Sequence, residues 1–505
     1  MLSTQETNKG WLHKGQYMKT TGLRLKQLFM CCLCWYCYNA VALDEFQAWQ
    51  QETLNDFSEY KSKQDKEFAD FLKMNWVGLN TLKGKPLYEE NKIIEPPKAP
   101  PEKKKAPAEK PIIVQIPPKK VEQKKQIPIP KPVFTPIKGN MVEIHFFGNK
   151  LSFPYDKSMK KRIRGRINKD KISTQWSLLA KSDYEPLMKS LKTHQEQLNL
   201  NDWAYALLVN KIANELYPKQ KNEQAFFSWF ALIKSGYKSR IAYKDRDIIL
   251  LLATKQQIFA AQSLKFKDTK YYALDISGDK PQKLAKVYTY DGDYPGSKEF
   301  FDMRLQQVIS TGQNETKRTL DFFYSQKKYT LDTVSNKYLV DFMKTYPQVH
   351  WNTYFNSNLD TLPRQQVANQ LRPHLTGLSE EEAVNFLLRF VQTSFKYATD
   401  EKQFGYENPL FPEESLYYPA SDCEDRSFLF AWLVQELLGL DVVGLHYPGH
   451  IATAVRLNMK VSGDTVRYKG KNYLVADPTY TNANIGNAMP KFKNAKVEFL
   501  EISKI

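Results

Sequence analysis

Residues 421–455 read SDCEDRSFLFAWLVQELLGLDVVGLHYPGHIATAV, and residues 471–480 read KNYLVADPTY. Ser421 and Asp422 are residue types that cap helix N-termini. Glu424 follows Ser421 at capping-box spacing, and an apolar run continues to Gly439. The pattern predicts a helix with Cys423 at or just inside its start. Val442–Leu445 reads as a buried strand, Pro448-Gly449 as a turn, and Ile451–Val455 as a second strand opened by His450. Tyr473–Ala476 reads as a third strand, with Asp477 at its end and Pro478 stopping it. A helix followed by adjacent strands is an α+β arrangement. At the helix start, free N–H groups and the macrodipole favour a thiolate over a thiol.

Cys423, His450 and Asp477 supply a nucleophile, a base and a group to orient the base. Their order on helix, strand and strand resembles the transglutaminase-like superfamily of papain-like thiol enzymes. The matching residues are Asp422-Cys423-Glu424-Asp425, Gly449-His450-Ile451-Ala452 and Ala476-Asp477-Pro478-Thr479-Tyr480, and the resemblance covers roughly residues 380–490. It implies that Cys423 attacks an acyl carbon, that His450 moves the proton, and that Asp477 fixes the imidazole tautomer. It also implies an oxyanion donor ahead of the cysteine, with Gln403 preferred over Gln392. The sequence departs from the family at Ser421, where a glycine is usual, and at Glu424, where animal cross-linking enzymes carry Trp; the latter speaks against protein cross-linking. Asp422, Glu424 and Asp425 put negative charge around the thiol, which raises a thiol pKa. Arg426 is expected to offset part of that charge, and Asp425 to turn away into a structural pair.

Upstream, Ser379 and Glu380-Glu381-Glu382 open a further apolar helix, and residues 346–505 read as the catalytic domain. Residues 281–345 read as a β-rich connecting domain, with strands near 286–290, 319–324 and 329–334. Residues 139–280 hold helices over 171–217 and an apolar helix at Ala225–Leu232 ending at Ser235-Gly236. Strands follow near 239–243, 248–253 and 271–275. That is the order of the Cys423 segment. Aligning Gly236 with Gly439 puts Gln220 at Cys423 and Asp275 at Asp477, with no histidine between. The expectation is a degenerate copy of the transglutaminase-like domain.

Between 84 and 138, prolines alternate with lysines, which predicts an extended, unpacked linker. Much of the net charge of +18 lies there. No basic recognition helix or stacking motif accompanies it, so nucleic acid is excluded as a partner and an anionic envelope surface is expected. Residues 43–83 read as an amphipathic helix carrying Trp49, Phe57, Tyr60, Phe68 and Trp76. Residues 1–42 are an N-terminal extension and a secretory signal peptide: Lys19, Arg24 and Lys26, an apolar core from Leu28 to Tyr38, then Ala40-Val41-Ala42. The rival is an uncleaved anchor. Cys31, Cys32, Cys34 and Cys37 lie in the apolar core, so a processed chain keeps only Cys423 and cannot form an internal disulfide.

H-E-x-x-H, G-x-G-x-x-G, Walker and G-x-S-x-G patterns are absent, and Pro448-Gly449 stops His446 and His450 from sharing a helix face for zinc. No cofactor or metal is expected. The sequence therefore predicts an exported thiol enzyme of a bacterial periplasm or cell envelope, a peptidase or amidase acting through a thioester on a peptide or protein, cell-wall peptide included. The alternative is an envelope scaffold that uses the same fold to bind a partner with little turnover.

Overall fold

The structure is a computed structural model that describes residues 48–88, 91–100, 112–114, 139–274, 276 and 285–504. The expected signal peptide, with Cys31, Cys32, Cys34 and Cys37, lies outside the described residues, as does Asp275. The chain divides into two units, residues 1–68 and 69–505. In the first, residues 48–68 are helical, with Trp49, Phe57 and Tyr60 exposed. No described helix is long and apolar enough to cross a membrane.

The second unit is mixed α and β; among the described residues it holds a six-stranded and a five-stranded antiparallel sheet and three two-stranded pairs. One helical reading needs correcting here. Trp76–Asn80 is a strand, paired antiparallel with Lys286–Tyr290 in the register Trp76↔Tyr290. Trp76 packs against the rings of Tyr243 and Tyr290, so tertiary contact decides its backbone over helical spacing.

The sheet that carries the candidate site follows the helix Cys423–Leu438, which ends at Gly439 in the left-handed region (φ 65°) that an L side chain resists. The strands Asp441–Tyr447 and His450–Arg456 form a hairpin across Pro448-Gly449. Lys471–Ala476 pairs with His450–Arg456, Thr465–Tyr468 is the outer edge, and Glu498–Leu500 pairs with Asp441–Tyr447. The helix lies on this sheet, and its apolar side chains, Phe428 to Val434 among them, are buried.

The upstream sheet has the same plan. The helix Lys221–Lys234 is followed by the hairpin Ser239–Lys244 and Asp247–Ala253, then the hairpin Ser263–Phe266 and Thr269–Tyr272. The second strand of each later hairpin pairs with the second strand of the first one, and all pairings are antiparallel. Lys286–Tyr290 stands where Glu498–Leu500 stands, with Trp76–Asn80 added outside it. The turns match too: Lys244 pairs with Asp247 as Tyr447 pairs with His450, and Phe266 pairs with Thr269 as Tyr468 pairs with Lys471. Leu252↔Tyr272 and Val455↔Leu474 are equivalent pairs.

Residues 281–345 are not a separate domain. Lys286–Tyr290 belongs to the upstream sheet, and the hairpin Glu315–Tyr324 with Lys327–Asn336 lies against helices Leu362–Leu375 and Glu380–Thr393. Phe322 packs edge-on to Phe386 and Phe390 there. Glu380–Thr393 is opened by a Ser379–Glu382 capping box.

The linker reading also fails over part of its length. Leu87 is buried, Ala99 N–H donates to Thr481 O at 2.8 Å, and Thr481 N–H donates to Pro97 O at 3.0 Å. Farther on, Val114 N–H donates to Leu378 O at 2.8 Å, and Glu380 N–H donates to Ile112 O at 3.0 Å. A segment without a core of its own is held here by pairing with a folded neighbour and by a few apolar anchors. Residues 101–111 and 115–138 lie outside the described residues.

Candidate active site

Strand geometry brings His450 and Asp477 together. His450 opens its strand and Asp477 follows the end of the neighbouring one, and His450 Nε2 lies 2.8 Å from Asp477 Oδ2 with both residues buried. Asp477 Oδ1 accepts from Thr479 N–H at 2.9 Å and Tyr480 N–H at 3.3 Å, an Asx turn that fixes the carboxylate. The His450 ring stacks on Phe492 with centroids 4.9 Å apart. A carboxylate that accepts from Nε2 holds the proton on that nitrogen, so Nδ1 carries the lone pair. Nδ1 is buried and has no hydrogen-bond partner.

Cys423 is the first residue of its helix. The N-cap is Asp422, one residue later than the sequence pattern suggests. Asp422 N–H donates to Asp425 Oδ2 at 3.1 Å, and Asp425 Oδ1 accepts from Leu410 N–H at 2.8 Å, so Asp425 does turn into a structural role. Ser427 Oγ bridges Cys423 O and Ile451 O at 2.8 and 3.0 Å, tying the helix start to the residue after His450. The Ile451 backbone N–H favours the thiolate. No hydrogen bond joins Cys423 Sγ to the His450 ring; the thiol donates to Glu424 Oε2 at 3.1 Å. Cys423 is fully buried. Burial, then Glu424 and Asp422, push its pKa well above the ordinary thiol value, against Lys92 and the Ile451 N–H. The depressed thiol pKa expected from the helix dipole is therefore reversed in this conformation.

The cover over the thiol comes from the Pro/Lys segment. Tyr88 OH donates to Glu424 Oε2 at 2.7 Å and lies 3.7 Å from Cys423 Sγ. Lys92 Nζ sits among four carboxylates: 2.6 Å from Asp422, 2.6 Å from Glu424, 2.7 Å from Glu407 and 3.4 Å from Asp400. One ammonium cannot neutralise four carboxylates, three of them buried, so their pKa values spread. Burial works against ionised Glu424, but Lys92 and hydrogen bonds from its neighbours outweigh it and hold the group down at about 2. Burial, then Glu424, pushes Glu407 up to about 8, and burial despite Lys92 lifts Asp400 to about 6. Arg426, expected to neutralise this charge, instead donates to the backbone carbonyls of Gln392 and Phe395.

The two glutamine candidates separate. Gln392 is buried; its Nε2 donates to Asp477 O at 3.1 Å and Ala483 O at 3.0 Å, and its Oε1 accepts from Asn482 N–H at 3.1 Å. It braces the loop that holds Asp477. Gln403 lies half-buried in the short helix Asp400–Phe404, and its side chain makes no hydrogen bond with Cys423, His450 or Asp477. The oxyanion role expected of Gln403 has no support in this geometry, because its helix begins at Asp400 and directs that residue, not Gln403, toward Lys92.

Tyr88 and Lys92 were missed by the sequence reading. Their only local signal is an apolar-aromatic run, Pro86-Leu87-Tyr88 and Ile93-Ile94, inside an otherwise polar tract. Carboxylate oxygens of Asp400, Glu407 and Glu424, and of Asp400, Asp422 and Asp425, lie close enough together to hold a cation. The first group holds the Lys92 ammonium. A cavity of about 390 Å³ opens beside the Tyr447–His450 turn, lined by Leu87, Phe259, His350, Trp351, His446 and Glu498 among others.

Comparisons with protein-family models, with curated proteins and with solved structures find no match to this chain.

Proposed function

We propose that the chain is a transglutaminase-like thiol enzyme that cleaves an amide or peptide bond, held here in a closed form. The observation that carries this reading is the buried His450–Asp477 pair, which leaves the partnerless Nδ1 as the basic nitrogen on a strand that Ser427 ties to the backbone of Cys423. In the open form Cys423 Sγ gives its proton to His450 Nδ1 and attacks the acyl carbon. The amine leaves with that proton, and a thioester remains. Water, deprotonated by the same nitrogen, then releases the acid and restores the thiol. The substrate is a peptide or protein, and the proposed setting is a bacterial envelope reached by export.

A second reading has one observation in its favour. A fully buried thiol with a raised pKa suits a scaffold that binds a partner and turns over little. Alkylation of the full chain with iodoacetamide separates the two. The Tyr88→Ala/Lys92→Ala variant should label at Cys423 about tenfold faster than wild type, and adding His450→Ala should slow it again by removing the imidazole that accepts the thiol proton. A thiol that stays unreactive in the double variant, or a rate indifferent to His450, leaves the scaffold reading standing.

A further inference from the structure

We propose that the carboxylates around Lys92 form a recognition pocket for the primary ammonium of a lysine-like side chain on an extended peptide substrate, which Lys92 occupies in the closed chain. This rests on the thiol-enzyme reading and names the substrate class of that site.

Three observations point the same way. The pocket adjoins the nucleophile: Asp422 and Glu424 flank Cys423 in sequence, and Glu424 accepts from the thiol itself. Its occupant is delivered from a distant part of the chain in the manner of a bound peptide. The segment passes the 390 Å³ cavity at Lys85–Leu87 and covers the thiol with Tyr88. It then inserts Lys92, offers Ile93 O to Tyr397 OH at 2.6 Å, and pairs through Pro97 and Ala99 with both backbone groups of Thr481. Thr481 lies in the loop that follows Asp477, so the segment runs along the line a substrate must take to reach Cys423. Finally, the site holds uncommitted polar capacity. Both Asp422 carboxylate oxygens are buried and accept no hydrogen bond other than the ion pair with Lys92, and Nδ1 of His450 has no partner.

The spacing fits an ammonium. The Nζ–oxygen distances to Asp422, Glu424 and Glu407 are 2.6 to 2.7 Å, the length of charge-assisted N–H···O bonds. An ammonium offers three N–H donors; Glu424, Glu407 and Asp400 accept them, and Asp422 completes the site as a close ion pair. The Tyr88 ring, 4.9 Å from Nζ, adds a face toward the cation. A guanidinium is planar and larger, so the pocket selects lysine over arginine.

The test uses the full-length Lys92→Ala variant with N-acetyl-lysine methylamide as probe and its uncharged isostere, N-acetyl-norleucine methylamide, as control. At about ten times its dissociation constant the lysine amide should slow Cys423 alkylation about tenfold and raise the thermal midpoint. The norleucine amide should do neither. If emptying the pocket leaves Lys92→Ala unfolded, the Lys92→Ala/Asp400→Asn variant, which removes one acidic group along with the ammonium, is assayed in the same way. Equal effects of the two amides, no effect of either, or protection by calcium chloride in place of the lysine amide would each overturn the proposal. The outcomes separate the two readings. A midpoint raised by the lysine amide with an inert thiol keeps the pocket and removes the enzyme. A reactive thiol indifferent to the lysine amide removes the pocket and keeps the enzyme.

Discussion

Replacing Gln392 by Leu tests whether the loop behind His450 is held by one side chain. The substitution keeps an apolar body of similar size in a buried position, but three backbone groups lose their partner: Asp477 O, Ala483 O and Asn482 N–H. A buried polar group left unpaired costs about 1–3 kcal/mol, and partial relaxation of the loop brings the total to about 3–5 kcal/mol. At an m-value of about 3 kcal/mol/M, a loss of about 4 kcal/mol lowers the urea midpoint by about 1.3 M. Gln403→Leu removes no hydrogen bond to the site and should stay within about 0.5 kcal/mol of wild type. Denaturation followed by tryptophan fluorescence measures both variants under one condition. Nitrogen chemical shifts of the His450 ring add a second readout, because a loosened Asp477 no longer fixes the proton on Nε2. A Gln392→Leu midpoint unchanged from wild type, or equal losses from the two variants, would refute the role of Gln392 as the brace.

Cys423→Ala and His450→Ala should each abolish turnover with the fold retained. Asp477→Asn should cut turnover severely while changing alkylation less, and full activity in Asp477→Asn would mean that Asp477 only ends a strand. Glu407, with its pKa raised to about 8 in the folded chain against about 4.3 unfolded, contributes stability that is fully present below the unfolded value and is lost as pH rises through about 8. The thermal midpoint should therefore fall between pH 6 and pH 9, and Glu407→Gln should flatten that slope; an unchanged slope contradicts the charge balance drawn for Lys92. Trypsin should spare the Lys92–Ile93 bond in the native protein and cut it faster in Tyr88→Ala, which loosens the segment but keeps Lys92, so early cleavage of wild type there argues against a docked segment.

What could be read from the sequence follows the range of the forces involved. The helix from Cys423 to Leu438, its stop at Gly439, the hairpin across Pro448-Gly449 and the Ser379 capping box are set by neighbours in the chain, and local pattern carries them. The His450–Asp477 contact was legible because it needs only a register between two strands. The shift of the N-cap from Ser421 to Asp422 was not. Glu424 matches the capping box in sequence, but Lys92, Tyr88 and the thiol draw its carboxylate away, and Asp425 takes the capping contact. Composition misled in the same place. Proline and lysine predict an unpacked chain because they carry no core, yet one ammonium in a buried acidic pocket and a short run of pairing are enough to fix a segment that lacks one.

The shared plan of the two sheets bears on how the cleft is walled. In the downstream sheet, the strand that begins at His450 runs on to Arg456, and the next hairpin returns to Asp477. In the upstream sheet, the equivalent strand begins at Asp247, which has no imidazole to offer, and Gln220 stands at the helix start where a thiol would be needed. Chemistry at that position is therefore closed to it. Its following loop, however, pairs with the stretch leading into the downstream half: His350 N–H donates to Gln257 O at 3.1 Å, and Phe259 N–H donates to Gln348 O at 2.8 Å. Those contacts set Gln257 and Phe259 against His350 and Trp351 in the wall of the cavity beside His446 and Gly449. The loop also pairs with the start of the Pro/Lys segment, Ala260 N–H donating to Lys85 O at 2.7 Å, so only its bonds to Gln348 and His350 are independent of that segment. If the segment leaves, His350 and Trp351 still wall one side of the cavity, and the side formed by Lys85, Pro86 and Leu87 goes with the segment.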